Sequence, residues 1–192
     1  MAKQPKALLI NGSPRHGNGL DMLNWVKEEL EKEGVAVEIF QLGGKEFKAC
    51  KSCWACQKTG KCVQKDPVID ELCAKMVEAD AIVIGSPTYY ADVSMEVKGM
   101  MDRCGLIVGK QLKRKLGAAV VSARRGGAIH VFDTINHWFT INQMIIVGSS
   151  YWNDGYNPHC GQLHEVNEDA EAQNTMRNLG INMAWLLKKI VQ

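Results

Sequence analysis

The chain has 192 residues, of which 46% are hydrophobic and 23% are charged, and its formal net charge is +2. This length and composition fit one globular domain over residues 1–192 with a sizeable core. A charge so near zero gives no electrostatic reason to expect a nucleic acid as partner. No apolar run approaches the roughly 20 residues that cross a membrane, and the short run ALLI after MAKQPK cannot form a signal-peptide core. We therefore expect a cytoplasmic protein.

Short apolar runs alternate with amphipathic helical stretches along the chain. The predicted strands span residues 7–11, 35–40, 81–85, 118–122 and 144–148. The predicted helices, with the cap residues Asp66 and Ser94 included, span residues 19–33, 66–77, 94–104, 128–140 and 168–190. Several strands are continuous apolar runs, which is typical of a parallel sheet with helices on both faces. Strands that alternate with helices in this way predict a doubly wound α/β sheet.

The first predicted strand runs directly into a glycine-rich turn, NGSPRHGNG at residues 11–19, and then into a helix. Such a turn aims backbone N–H groups at an anion, and Ser13, Arg15 and Asn18 add a hydroxyl, a charge and an amide. The glycines have the Walker A spacing, but Asn18 and Gly19 stand where that motif needs Lys and Ser or Thr. The dinucleotide pattern G-x-G-x-x-G is also absent. An anion site without NTPase chemistry is the favoured interpretation, and a plain connecting turn is the alternative.

The long connection over residues 43–66 contains four cysteines in the stretch CKSCWACQKTGKC. Their spacing, C-x2-C-x2-C-x5-C, begins like the cysteine run that holds cubane iron–sulfur clusters in bacterial ferredoxins. In a reducing compartment, thiols this close together are typical of metal or redox sites. Zinc, which usually takes two separated C-x2-C knuckles, stays open as an alternative, as do reversible disulfides and an empty loop. The candidate ligands are Cys50, Cys53, Cys56 and Cys62.

Two further loops follow the third and fourth predicted strands, where a doubly wound sheet binds its ligands. The first, SPTYYADVS at residues 86–94, offers a proline turn, a hydroxyl and two aromatic rings, which together can stack on a flat heterocycle and hydrogen-bond to it. The second, VSARRGG at residues 121–127, is a polar turn that opens a helix. The two tyrosines have an alternative interpretation as surface or interface aromatics. The candidate binding residues in these loops are Pro87, Thr88, Tyr89, Tyr90, Ser122, Gly126 and Gly127.

Taken together, GSPR after strand one, SPTYYADVSMEVKGMMDR after strand three and RRGG after strand four resemble the NADPH-dependent FMN reductase branch of the flavodoxin-like superfamily. With the compact cysteine loop, the chain resembles an iron–sulfur flavoprotein. The likeness extends over nearly the whole chain, up to about Gly155. It implies a flavodoxin-like, five-stranded parallel sheet of order 2-1-3-4-5, with helices on both faces and the cysteine-rich insertion, residues 43–66, after strand two.

The resemblance implies FMN and a [4Fe–4S] cluster as cofactors, with the cluster on the four cysteines of the loop. The residues implied at the phosphate and the ribityl chain are Ser13, Arg15 and Asn18. Those implied along the isoalloxazine ring and at its other edge are Pro87, Thr88, Tyr89, Tyr90, Gly126 and Gly127. One departure is Gly19, which stands where the family has a Thr or Ser, so one phosphate-binding hydroxyl is missing. The family also implies a homodimer or homotetramer.

A flavin accepts two electrons as a hydride and releases them singly, whereas a cluster carries one electron. The sequence therefore predicts an oxidoreductase that passes electrons between FMN and a [4Fe–4S] cluster, with NAD(P)H or a ferredoxin as electron donor. Lys51, Lys58 and Lys61 beside the thiols suit an acidic donor, although a solvated loop face explains them equally well. Two alternatives stay open: an NAD(P)H-dependent FMN or quinone reductase without a functional cluster, and a flavin-binding redox sensor without turnover.

Overall fold

Strands and helices alternate through the part of the chain that the computed structural model describes, residues 3–159 and 162–191. The strands are β1 (Lys6–Asn11), β2 (Ala36–Gln41), β3 (Ala81–Pro87), β4 (Leu116–Ala123), β5 (Ile145–Ile146) and β6 (Asp154–Tyr156). The helices are α1 (Asn18–Lys32), α2 (Cys56–Thr59), α3 (Pro67–Glu78), α4 (Met95–Val108), α5 (Ala128–Ile141) and α6 (Ala170–Ile190). Short 3-10 turns lie at Gly109–Gln111 and Glu165–Glu168. The predicted elements all occur, but β6 and α2 are not predicted.

The strands lie side by side in the order β2-β1-β3-β4-β5, and all these pairings are parallel. This order confirms the predicted topology. A sixth strand adds to this five-strand order at the outer edge, where two short strands both pair with β4. β5 pairs only with residues 116–117 at the start of β4, and β6 pairs with residues 121–123 at its end. Between them the sequence Gly-Ser-Ser, residues 148–150, favours a turn over a strand, so the chain leaves the edge there.

Apolar side chains on the strands alternate between two cores. Leu8 and Ile10 of β1 pack with α3, α4 and α5, whereas Ala7 and Leu9 pack with α1 and α6. β3 and β4 are buried along their whole length, as their continuous apolar runs predict. No helix within residues 3–159 and 162–191 is both long enough and apolar enough to cross a membrane.

Helices α3 and α4 begin where their cap residues predict. Pro67 opens α3 directly after Asp66, at a position where its missing N–H leaves no hydrogen bond unmade. Ser94 caps α4, because its hydroxyl accepts a hydrogen bond from the Val97 N–H at 3.3 Å. The same hydroxyl donates to the Gly12 carbonyl at 2.9 Å. The start of α4 is therefore fixed against the turn that follows β1.

Candidate functional site

The carboxyl ends of β1, β3 and β4 meet at one edge of the sheet. Asn11 at the end of β1 lies opposite Gly85 of β3, and Pro87 at the end of β3 lies opposite Ser122 of β4. The Thr88 N–H then donates to the Ser122 carbonyl at 2.8 Å. The sheet register therefore brings together the three loops that the sequence marks, at the position where doubly wound sheets bind ligands.

The turn between β1 and α1 has the geometric features of an anion site. The Gly12 N–H donates to the Gly85 carbonyl at 2.8 Å, and a Cβ at Gly12 would overlap the Val97 side chain. The Ser13 N–H donates to the Asn11 side chain at 3.2 Å, so the turn is held from both sides. Among the described residues, no side chain caps the first turn of α1. Its N–H groups and its dipole are thus available to a phosphate.

A cleft of about 220 Å³ opens between these loops, and we call it the strand-end cleft. Eight of the eleven candidate cofactor residues line it: Ser13, Arg15, Asn18, Gly19, Pro87, Thr88, Tyr89 and Ser122. The Arg15 side chain donates to the Gln162 carbonyl at 3.1 Å, which joins the turn after β1 to a segment near the C-terminal helix. The cleft combines a helix N-terminus with hydroxyl groups and an aromatic ring, as a phosphorylated heterocycle requires.

The three other candidates, Tyr90, Gly126 and Gly127, lie outside the cleft wall. Tyr90 and Ala91 form the tip of a tight turn that is closed by backbone hydrogen bonds of 2.9 and 3.0 Å. Both residues adopt left-handed conformations, with φ of 49° and 62°, and the Tyr90 side chain is fully exposed. Gly127 caps α5 at φ +98°, where a Cβ would come within 3.0 Å of Ala91, and Gly126 is exposed. Backbone strain held at a loop tip is a sign of function, so Tyr90 remains a candidate.

Three residues that sequence reasoning does not select also line the cleft: Arg124, Asn157 and Leu163. Arg124 stands two residues after Ser122 in the same loop, and its charge near an expected phosphate is the signal that could have found it. Asn157 directly follows β6, whose sequence Asp-Gly-Tyr is poor in strand-forming residues. Leu163 belongs to no sequence motif. Its side chain packs against Gly17, where an added Cβ would lie 2.7 Å from the leucine side chain.

Two buried side-chain oxygens at the cleft have no hydrogen-bond partner among the described residues. They are Thr88 Oγ1 and Asn157 Oδ1. Buried polar atoms are nearly always paired, so a bound group that supplies the missing partners fits here. A flavin ring carries carbonyl and N–H groups along one edge, which match a hydroxyl and a carboxamide. The residues present therefore fit a flavin.

The four cysteines of the loop after β2 line one small cavity, which we call the cysteine cavity. Its other walls include Trp54 of the loop and Arg103 and Leu106 of α4. Ser52 and Trp54 adopt left-handed conformations with φ of 53° and 59°, and the short helix α2 begins at Cys56. These reversals bend the short stretch so that Cys50, Cys53, Cys56 and Cys62 share the same space.

Hydrogen bonds and burial set the state of the thiols in this cavity. The Ser52 N–H donates to Cys50 Sγ at 3.4 Å, and the Cys56 thiol donates to the Leu106 carbonyl at 3.8 Å. Burial raises the pKa of the Cys56 thiol, and the three other sulfurs raise it further. Four thiolates at one site therefore need a positively charged centre that stabilises them.

The donor set bears on the kind of centre. Within residues 3–159 and 162–191, no three His, Cys, Asp or Glu side chains form a group that could hold a metal ion. The cavity nevertheless gathers four cysteines from one compact stretch, and four thiolates are the ligand set of a [4Fe–4S] cluster. Structural zinc sites usually take two separated C-x2-C knuckles instead, so the residues present fit a cluster.

The strand-end cleft and the cysteine cavity lie at opposite ends of α4. Ser94 at its start contacts the turn after β1, whereas Leu106 near its end accepts hydrogen bonds from Cys56 and Gln57. No described residue lines both the cleft and the cavity, so the two sites are separate regions of one chain.

Comparison with known proteins places the chain in a family. The sequence model of the family described as NADPH-dependent FMN reductase matches residues 5–158. The chain belongs to the NADPH-dependent FMN reductase family. An iron–sulfur flavoprotein of Methanocaldococcus jannaschii is 36% identical to it, in an alignment that covers 96% of this chain and 98% of the relative. A second iron–sulfur flavoprotein, from Methanosarcina thermophila, is 31% identical, with 94% of each chain covered.

A solved structure confirms the fold of this family member. The flavodoxin-type, WrbA-like protein of Agrobacterium tumefaciens superposes with a TM-score of 0.68 over 97% of this chain and 99% of that chain, at 14% identity. The fold is thus flavodoxin-like, as predicted. Membership of the FMN reductase family also confirms the predicted class: the chain is a flavin-binding redox protein and an oxidoreductase.

Proposed function

We propose that the chain is an iron–sulfur flavoprotein that passes electrons between FMN in the strand-end cleft and a [4Fe–4S] cluster in the cysteine cavity. The observation that carries this proposal is the convergence of Cys50, Cys53, Cys56 and Cys62 on one cavity. It occurs in a chain of a flavin-binding family, whose relatives in Methanocaldococcus jannaschii and Methanosarcina thermophila are called iron–sulfur flavoproteins.

FMN binding is assigned to the residues that line the strand-end cleft. The phosphate would bind at the start of α1, where Ser13 and Arg15 add donors to the backbone N–H groups. Arg124 supplies a second positive charge in the same cleft, which compensates for the hydroxyl that Gly19 lacks. The Thr88 hydroxyl and the Asn157 carboxamide would pair with the polar edge of the ring, along the loop of residues 87–90.

Cluster binding is assigned to the four cysteines, and a bound cluster supplies a one-electron site. The Ser52 N–H that already donates to Cys50 Sγ would tune this site, because hydrogen bonds to sulfur change a cluster's potential. Lys51, Lys58 and Lys61 are exposed around the cavity. Their charge favours an acidic electron donor of the ferredoxin kind, with NAD(P)H as the other candidate donor.

The separation of the two sites favours an electron relay between copies of the chain. No described residue lines both the strand-end cleft and the cysteine cavity. A homodimer or homotetramer that places the cysteine cavity of one copy beside the strand-end cleft of another would bring the two cofactors together. We propose such an assembly, in the cytoplasm, where reducing conditions keep the thiols available to a metal.

Anaerobic purification followed by iron, sulfide and flavin counts tests the proposal. We expect iron and acid-labile sulfide in the ratio of a [4Fe–4S] cluster, together with one FMN per chain. FMN with zinc, or with no metal, would contradict the cluster and leave a flavin reductase. Failure of both NAD(P)H and reduced ferredoxin to reduce the bound FMN would instead indicate a redox sensor without turnover.

A further inference from the structure

A buried arginine holds the two ends of the cysteine loop. Arg103 on α4 is only 1% exposed. Its guanidinium donates to the Lys48 carbonyl at 2.9 Å and to the Gln64 carbonyl at 3.1 Å. These residues stand two positions before Cys50 and two positions after Cys62. One side chain therefore fixes both ends of the segment that carries the four cysteines.

Asp66 completes this arrangement as the counter-charge. Its Oδ2 atom accepts hydrogen bonds from the Arg103 guanidinium at 2.5 Å and from the Lys48 N–H at 3.1 Å, and the residue is 7% exposed. A buried ion pair adds little stability by itself, but the loss of one partner leaves an uncompensated charge. Such a pair at this place suggests a role other than stability.

Arg103 also adjoins the thiols. It lines the cysteine cavity together with the four cysteines, and its Nε–H is buried with no partner among the described residues. Arginine stays protonated in proteins, and the Asp66 carboxylate lies beside this guanidinium. The side chain is therefore a permanent buried cation next to Cys62, with one N–H still to be paired.

We propose that Arg103 is a positioning residue for the cluster and that its buried charge raises the cluster's reduction potential. The inference rests on the proposed function, because it requires a cluster in the cysteine cavity. Reduction adds one electron to an anionic assembly of thiolates and iron, so a nearby cation stabilises the reduced form more than the oxidised form. Asp66 acts in the opposite direction, since its carboxylate offsets part of the Arg103 charge.

Redox titration of the full chain, reconstituted anaerobically with iron and sulfide and followed by EPR, tests the effect of charge. Asp66→Asn keeps an acceptor for Arg103 and a good cap residue for α3, but it removes the negative charge, so we expect a more positive cluster potential. Arg103→Met leaves the Asp66 carboxylate without its counter-charge, so we expect a more negative potential. Arg177→Met is the matched control, because it removes an arginine from surface ion pairs, and it should leave the potential unchanged.

Iron loss from the reconstituted chain to a chelator tests the positioning role. Arg103→Lys keeps the charge but loses the fork of donors that reaches both loop ends. We expect this variant to release iron several-fold faster than wild type, while its cluster potential stays near the wild-type value. Arg177→Met should release iron at the wild-type rate.

The outcomes separate this inference from the function on which it rests. A wild-type chain that binds no cluster would overturn both. If the wild-type chain binds a cluster but the cluster potential is no higher in Asp66→Asn, the charge effect is overturned. This variant gives the direction of the potential shift even if Arg103→Met does not retain its cluster. An unchanged rate of iron loss in Arg103→Lys would overturn the positioning role.

Discussion

The strand-end cleft and the cysteine cavity are built by different means. The cleft takes its walls from the ends of β1, β3 and β4, and β3 and β4 are buried along their whole length. The cysteine cavity is formed by a connection whose one helix, α2, has four residues and buries none of them. Its position depends on hydrogen bonds with α4. The Arg103 side chain of α4 donates to the Lys48 and Gln64 carbonyls, and the Gln57 side chain of the loop donates to the Leu106 carbonyl.

This difference indicates that the two sites depend on different parts of the chain. The cleft is a consequence of the fold, so it needs the whole sheet and does not need the cysteines. The cavity is a consequence of local spacing, so it needs its own four thiols and one anchor on α4. We therefore expect that each site can be damaged while the other is retained, and the following variants test that independence.

Loss of one cysteine should have the largest effect. Cys53→Ala removes one of four ligands, so we expect iron and sulfide to fall to near zero after anaerobic reconstitution. FMN should stay bound at the wild-type ratio, because no loop cysteine lines the strand-end cleft. Cys73→Ala is the control, since Cys73 lies on α3 and contacts Cys104 at 3.4 Å, and it should keep its iron. Loss of FMN from Cys53→Ala would show that the two regions are not independent.

Two adjacent arginines allow a matched test of the cleft. Arg124 lines it and the neighbouring Arg125 does not. Removal of a charged hydrogen-bond partner costs about 1.5–3 kcal/mol, so Arg124→Ala should weaken FMN binding roughly tenfold to a hundredfold. Arg125→Ala should bind FMN like wild type, and both variants should keep wild-type iron. Equal losses of flavin affinity in the two variants would contradict the role of Arg124.

Thr88→Val should produce two smaller effects of opposite sign. It removes the buried hydroxyl that has no partner among the described residues, so the flavin-free protein should gain about 1 kcal/mol in its free energy of unfolding. The same change removes a partner for the flavin, so FMN affinity should fall about twofold to tenfold. Urea unfolding and flavin titration measure the two effects. A variant with unchanged FMN affinity would show that this hydroxyl does not contact the flavin.

The smallest effect is expected at β6, the part of the cleft edge that sequence does not predict. Burial raises the pKa of Asp154 above its ordinary value of 3.8. The native state therefore holds this proton to a higher pH than the unfolded state, so the free energy of unfolding falls as pH rises through that interval. Asp154→Asn should raise the melting temperature at pH 7 and change it little at pH 3, below about the unfolded pKa. A larger gain in melting temperature at pH 3 than at pH 7 would contradict the expected direction of the pKa shift.

The order of the sheet is predictable from sequence, because each strand and helix start is marked by its own residues. Apolar runs mark β1, β3 and β4, and Ser94 marks the start of α4 through its own hydroxyl. The split outer edge is not predictable in this way. β6 has the sequence Asp-Gly-Tyr and pairs through its backbone with the end of β4, so its position depends on a neighbour rather than on its own residues.

In the candidate sites, too, local features are predictable from sequence and features that depend on distant elements are not. The cysteine spacing predicts which thiols share a cavity, since it is contained in one short stretch. Arg103 and Asn157 are not predicted, because each reaches its site from an element far away along the chain. Tyr90 lies in a predicted loop, but only the structure shows that the backbone there is strained and that the side chain extends into solvent.

Anaerobic reductive titration of the reconstituted wild-type chain tests the central claim most directly, with flavin absorbance and cluster EPR recorded together. FMN takes two electrons and a [4Fe–4S] cluster takes one, so we expect about three electrons per chain for wild type and about two for Cys53→Ala. An uptake of two electrons by the wild-type chain, without a cluster signal, would contradict it.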